Sequence, residues 1–216
     1  DIRKETREDI KGIRNSSSTD NVEQRAEIEK KRAEMKAEIE KKRAESQAEI
    51  AKKRAEFNAE IATKKEESKK KIEERKTELK AKLAVIKDEK KKNLAVSIND
   101  KLQEINKKAV ETLTNTILKQ EEVVQKLKDR SDTLASEGKD VTAITSNVTA
   151  IETKIAESRT ALSAQATKVY TIVVTTEAEL KTNTEKIRTT LRSDITSVQT
   201  SMKATSELIR ATAKSI

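Results

Sequence analysis

The sequence predicts an all-α protein: a long helical stalk built on an eleven-residue repeat, leading into an antiparallel three-helix bundle. Three observations predict it. The chain of 216 residues has no proline and only two glycines, so the turn residues that a sheet of short strands requires are missing. Its apolar residues recur at three- and four-residue intervals, the period of a helix face. One Phe, one Tyr and no Trp leave Ile, Leu, Val, Ala and Met to build any core.

Residues 1–19 read as a short amphipathic helix over 1–14, with Ile2, Ile10 and Ile13 among charges, and then the polar break Asn15–Thr19. The side chains of that break compete with helical hydrogen bonding. Asp20 stands three residues before Glu23, a capping-box spacing that marks a helix start. Neither Gly nor Pro follows until Gly138. Residues 21–136 are therefore expected as one continuous rod, about 170 Å long.

Residues 20–84 are the charged stalk. Stacked from Arg25, its blocks read RAEIEKKRAEM, KAEIEKKRAES, QAEIAKKRAEF and NAEIATKKEES. One column holds Ile28, Ile39, Ile50, Ile61 and Ile72, and a second holds Met35, Ser46, Phe57 and Ser68. Eleven residues in three turns is ~3.67 per turn, so the columns run nearly straight. So thin a stripe cannot make a globular core. Ile28, Met35, Ile39, Ile50, Phe57, Ile61 and Ile72 are expected to lie exposed and to join one copy of the chain to another. Residues 25–93 carry 24 Lys/Arg against 16 Asp/Glu, interleaved at one-turn spacing. Glu27–Lys31, Glu38–Lys42, Glu49–Lys53 and Glu60–Lys64 are i,i+4 pairs in the favoured order, each contributing ~0.2–0.5 kcal/mol to a solvated helix.

Residues 85–216 are the bundle. Leu94, Ile98, Leu102, Ile105, Leu113, Ile117, Val124, Leu127 and Leu134 trace a broader apolar face on its first helix. A turn follows at 137–140, where Gly138 suits the left-handed position after a helix end and Asp140 suits the next N-cap. The second helix carries Val141, Ile144, Val148, Ile151, Ile155 and Leu162 in almost clean heptads. The β-branched run Thr171–Thr176 weakens helicity, and Thr176 with Glu179 offers another capping box before the third helix. The competing topology is a two-helix hairpin in which residues 141–215 form one helix.

Composition excludes most chemistry. Without Cys or His there is no thiol or imidazole nucleophile, no zinc site of the usual ligand set and no disulfide. Two glycines this far apart cannot form a phosphate-binding loop. We therefore expect no enzyme, no cofactor and no small-molecule substrate. Net charge is +9, but the interleaved carboxylates cancel the field within a Debye length of about 8 Å, and no aromatic platform accompanies the lysines, so no nucleic-acid partner is expected. One Ile and one variable residue per block is too little apolar area to lie on a membrane surface. The expected partner is a second copy of the chain, in an extended filament or surface assembly. A non-polymerising envelope spacer or a holdase-like, client-binding rod is the alternative.

The stretch KLKDRSDTLASEGKDVTAITSNVTAIETKI, residues 126–155, together with the KKRAE-like units before it, resembles secreted Lys/Glu-rich helical proteins of candidate-phyla-radiation bacteria. Gly138, Asp140 and Lys154-Ile155 stand in the register those proteins show. The resemblance implies export to the cell surface or beyond, with a signal peptide already removed. It implies no chemistry, because its motifs are helix punctuation.

Overall fold

The computed structural model describes residues 21–216; Asp20 and the helix expected within residues 1–19 lie outside the described residues. Four α-helices and one 3-10 turn make up the regular structure among the described residues: α1 (Asn21–Lys82), the 3-10 turn Leu83–Val85, α2 (Glu89–Ser136), α3 (Thr142–Ala166) and α4 (Leu180–Lys214). The protein is all-α, as its periodicity requires. No strand occurs among the described residues.

The expected continuous rod is broken at residues 83–88, without a glycine or a proline. Ile86 takes an extended conformation, and the Asp88 carboxylate caps α2 by accepting from the Lys90 and Lys91 N–H groups at 2.8 and 3.2 Å. The break is favoured by what it buries. Leu79, Leu83 and Ile86, all at most 2% exposed, join Tyr170, Ile172, Leu180 and Leu191 in one cluster. Each such side chain contributes ~1.5–3 kcal/mol on burial, more than the few helical hydrogen bonds the bend forfeits. Removing the cap in Asp88→Ala is expected to cost about 1 kcal/mol, measurable by urea unfolding.

The bend sends α1 and α2 back along each other as antiparallel neighbours. Pairs Arg43–Thr133, Arg54–Glu121, Lys65–Glu111 and Lys76–Asp100 fix the register. α3 returns antiparallel to α2, with Lys128 beside Glu152 and Asn106 beside Gln165, and α4 runs parallel to α2, with Gln120 reaching the Met202 carbonyl. The three-helix bundle thus forms from α2, α3 and α4. α1 lies on it, and Phe57 and Ile61 enter the same core cluster as Ile117, Ile151, Leu162 and Val198.

The α2–α3 turn follows its sequence signals closely. Gly138 has φ 84°, its N–H donates to the Ala135 carbonyl, and the Lys139 N–H donates to Leu134, the paired bonds of a Schellman ending. Asp140 accepts from the Thr142 N–H at 2.9 Å and from its hydroxyl at 2.7 Å, although the residue immediately before the helix is Val141. Gly138→Ala is expected to lower stability by roughly 1 kcal/mol, the cost of a Cβ in left-handed backbone, as read from a thermal melt.

Residues 141–215 are not one helix. α3 stops at Ala166, and residues 167–179 cross as a strap without regular secondary structure before α4. The β-branched run lies within it. Thr176 accepts from the Glu179 N–H at 3.3 Å and so closes the turn ahead of the helix, but α4 starts only at Leu180 and the residue before it, Glu179, makes no side-chain cap, so the expected N-cap at Thr176 is corrected.

Candidate functional site

The stripe predicted for self-association divides into two parts. Phe57 and Ile61 are each 3% exposed, packed under α2 and α3. Ile50 and Ile72 are half-buried and line clefts closed by Val124 and Ile155 and by Val110 and Ala166. These four residues face the molecule's own bundle, so the expectation that they lie exposed is corrected. The physical reason is the bend at 83–88, which turns the stripe inward.

The rest of the stripe lies at and beyond the bundle's end. Extending the α1–α2 register places Ser136 level with about residue 38. The parallel α1–α3 contacts, Lys53 carbonyl to Arg159 and Glu60 to Ser163, place Thr142 at the same level. Ile39 sits at this boundary. Residues 21–37 therefore project past the bundle as a single helix, about 25 Å long. Ile28 and Met35 ride on it, partly exposed.

Sequence reasoning missed the residues that dock α1. Arg43, Arg54, Lys65 and Lys76 stand eleven apart, at the eighth position of successive blocks, one turn after each Ile and flanking the Ile column on the side away from the Met35–Phe57 column. Arg43 donates to the Asp129 carbonyl and the Thr133 hydroxyl at 2.8 and 3.0 Å. Lys65 reaches Glu111 at 3.1 Å and Lys76 reaches Asp100 at 2.9 Å. Glu121 is the centre of this ladder. One of its oxygens meets Arg54 Nε of α1 at 3.2 Å and the other meets an Arg159 amino group of α3 at 2.5 Å, and Arg159 stacks 4.6 Å above the Phe57 ring. The signal was legible as a cation recurring on the apolar face, where a solvated helix has no use for one in particular. Glu49–Lys53, an expected i,i+4 pair, forms at 2.6 Å.

A second polar constellation holds the strap. Asn99, Gln103 and Asn106 lie on one face of α2, buried. Gln103 donates to the Tyr170 carbonyl at 2.5 Å and accepts from its N–H at 3.3 Å, as a neighbouring strand would. Asn99 accepts from the Ile172 N–H, and Asn106 donates to the Lys168 carbonyl. Tyr170 Oη accepts from Gln165 and donates to Asp194, both at 2.7 Å. Burial first, then the Asp194 contact, pushes the phenol well above its ordinary pKa, so it keeps its proton. Burial pulls the Asp194 carboxyl upward, but hydrogen bonds from Tyr170 and Lys168 outweigh it and hold the group below the usual carboxylate range. Asp140 is held low as well, by its bonds from Thr142. Both carboxylates therefore contribute stability that is present above their ordinary pKa and lost as pH falls through their lowered values.

Two residues assigned to the core face of α2 point outward instead. Leu94 is 59% and Ile105 is 51% exposed. With Val85 and Val173, at 65% and 60%, they gather toward the end of the molecule that contains the bend, opposite the projecting helix. No described group of acidic residues has the arrangement of a metal site, and no described helix is long and apolar enough to cross a membrane. Comparison with protein-family profiles, curated proteins and solved structures finds no match.

Proposed function

We propose that the protein is a structural, exported component whose copies self-associate into an extended filament or surface assembly. The projecting helix supports this reading. A helix that runs past the ends of α2 and α3, with Ile28 and Met35 partly exposed on one side, leaves apolar area in water, and association removes it. The bundle beneath gives each subunit a rigid body, tied together by Glu121 across three helices. Export rests on the resemblance of residues 126–155 and the preceding repeat to secreted helical proteins. The reading assigns the chain no substrate and no cofactor. Sedimentation velocity and electron microscopy of the full chain over a wide concentration range test it. Growth into long particles is the expected result, and a single rod at every concentration would refute it.

A further inference from the structure

The residue pattern of a helix continues through the bend at residues 83–88. The eleven-residue column Ile50, Ile61, Ile72, Leu83, Leu94 and Ile105 crosses it unbroken. Residues 82–90 contain neither Gly nor Pro, and no residue there has positive φ, so the same stretch is competent to be helix. α1, meanwhile, is gripped at only a few places. Phe57 and Ile61 are its members of the bundle's buried cluster, and Leu79 and Leu83 anchor its far end beside the strap. On either side of Phe57 and Ile61, at Ile50 and at Ile72, open clefts of about 500 and 590 Å³ separate α1 from α2 and α3.

We infer that α1 is exchanged between copies: the bend straightens, residues 21–136 become one helix, and α1 of each copy docks on the α2–α3 face of the other. The exchange rests on the self-association proposed above and supplies its first step, a pair of chains. The occupant is set by the fold, because that face already accepts this sequence from its own chain. The register agrees. Pairs Arg43–Thr133, Lys65–Glu111 and Lys76–Asp100 are each centred on residue 88. Two straight helices crossing antiparallel about a two-fold axis at Asp88 therefore make the same pairs between chains, and Phe57 and Ile61 enter the partner's core. Leu79 and Leu83 keep their level beside a strap.

What changes is confined to residues 84–88. The burial of Ile86 and the Asp88 cap are given up, and the helical hydrogen bonds that the bend interrupts are regained. Everything else is re-formed on the partner, which is why exchange of an identical element is a low-cost route to a dimer. Concentration decides between the two forms. A short hinge gives α1 a millimolar effective concentration toward its own bundle, so the bent chain prevails when dilute and the exchanged pair when chains are crowded or refolded together. The pair is isologous and closes on itself. It is about 200 Å long, with one projecting helix past each bundle, so both ends remain for the further association proposed above.

The absence of native cysteine makes the exchange directly testable. Full-length Lys76→Cys and Asp100→Cys proteins are mixed in urea, refolded together at high concentration and treated with a short bis-maleimide. Lys76 Nζ and Asp100 Oδ2 stand 2.9 Å apart, within one chain when bent and between two when exchanged. A covalent dimer is expected from the mixture and from neither protein alone, because like positions lie ~36 Å apart across the two-fold axis. Lys87→Pro suits the extended Ile86 before it and bars the straight helix, so it should weaken pairing tenfold or more. Asp88→Ala removes the cap that only the bent form uses and should strengthen pairing. Two results overturn the exchange: pairs in sedimentation with no 76–100 product between chains, or Lys87→Pro pairing as well as the native protein. Either would mean that intact hairpins associate through another surface, and self-association would stand. No association at any concentration removes both.

Discussion

Replacing Glu121 with alanine is expected to cost roughly 3 kcal/mol and to lower the melting temperature by about 10 °C. Glu121 is 9% exposed and answers two guanidinium groups, one from α1 and one from α3. Without it Arg54 and Arg159 face each other across the site with their side chains 25% and 21% exposed, unable to reach full hydration. Arg54 retains the Leu118 carbonyl at 3.0 Å and a long contact to Glu122 at 3.8 Å, and Arg159 retains the Lys53 carbonyl, so the loss falls at the lower end of the range for a broken buried pair. The cost should therefore come from the stranded charges more than from the lost attraction. A triple variant, Glu121→Leu with Arg54→Leu and Arg159→Met, separates these. It should recover most of the stability, because no charge is left buried. If the triple variant is as unstable as Glu121→Ala, the loss is one of packing and this account is wrong.

That site also marks where the sequence stopped being legible. The helical class, the turn at Gly138 and the non-helical character of Thr171–Thr176 are local properties, written in residue type and spacing. The fold-back of α1 is not local. It is made by Asp88, an ordinary N-cap in a lysine run, and by Leu83 and Ile86, which are buried only because Tyr170 and Ile172 arrive from far along the chain. The cation at the eighth position of each block lay in plain view. Among so many lysines it had no distinguishing mark except its place directly beside the Ile column. A thin stripe flanked by arginine reads as solvated when the helix is alone, and as a docking face once a carboxylate is opposite. The part of the stripe beyond the bundle, Ile28 and Met35, is what remains after α2 and α3 reach their common end.

Gln103→Leu is expected to destabilise the protein by about 2–4 kcal/mol, although leucine is more hydrophobic and close in size. The strap has no strand beside it, so its buried backbone groups depend on side chains. Gln103 satisfies both the N–H and the C=O of Tyr170, and the glutamine itself is only 9% exposed. Leucine fills the space and leaves two buried backbone groups without partners, each costing ~1–3 kcal/mol, against a gain from leucine burial that offsets only part of it. Gln103→Glu distinguishes this from a packing effect. At neutral pH its carboxylate can accept from the Tyr170 N–H but has no proton to donate, so it repels the Tyr170 carbonyl. On acidification the protonated acid can donate again. Relative to the native chain at each pH, Gln103→Glu should be markedly less stable near neutrality and should recover as pH falls through the carboxyl's titration. Urea unfolding at several pH values reads both variants. A Gln103→Leu loss below about 1 kcal/mol, or a Gln103→Glu deficit that does not shrink in acid, would mean that the strap is held by Tyr170, Ile172 and Val174 burial and not by the amide ladder.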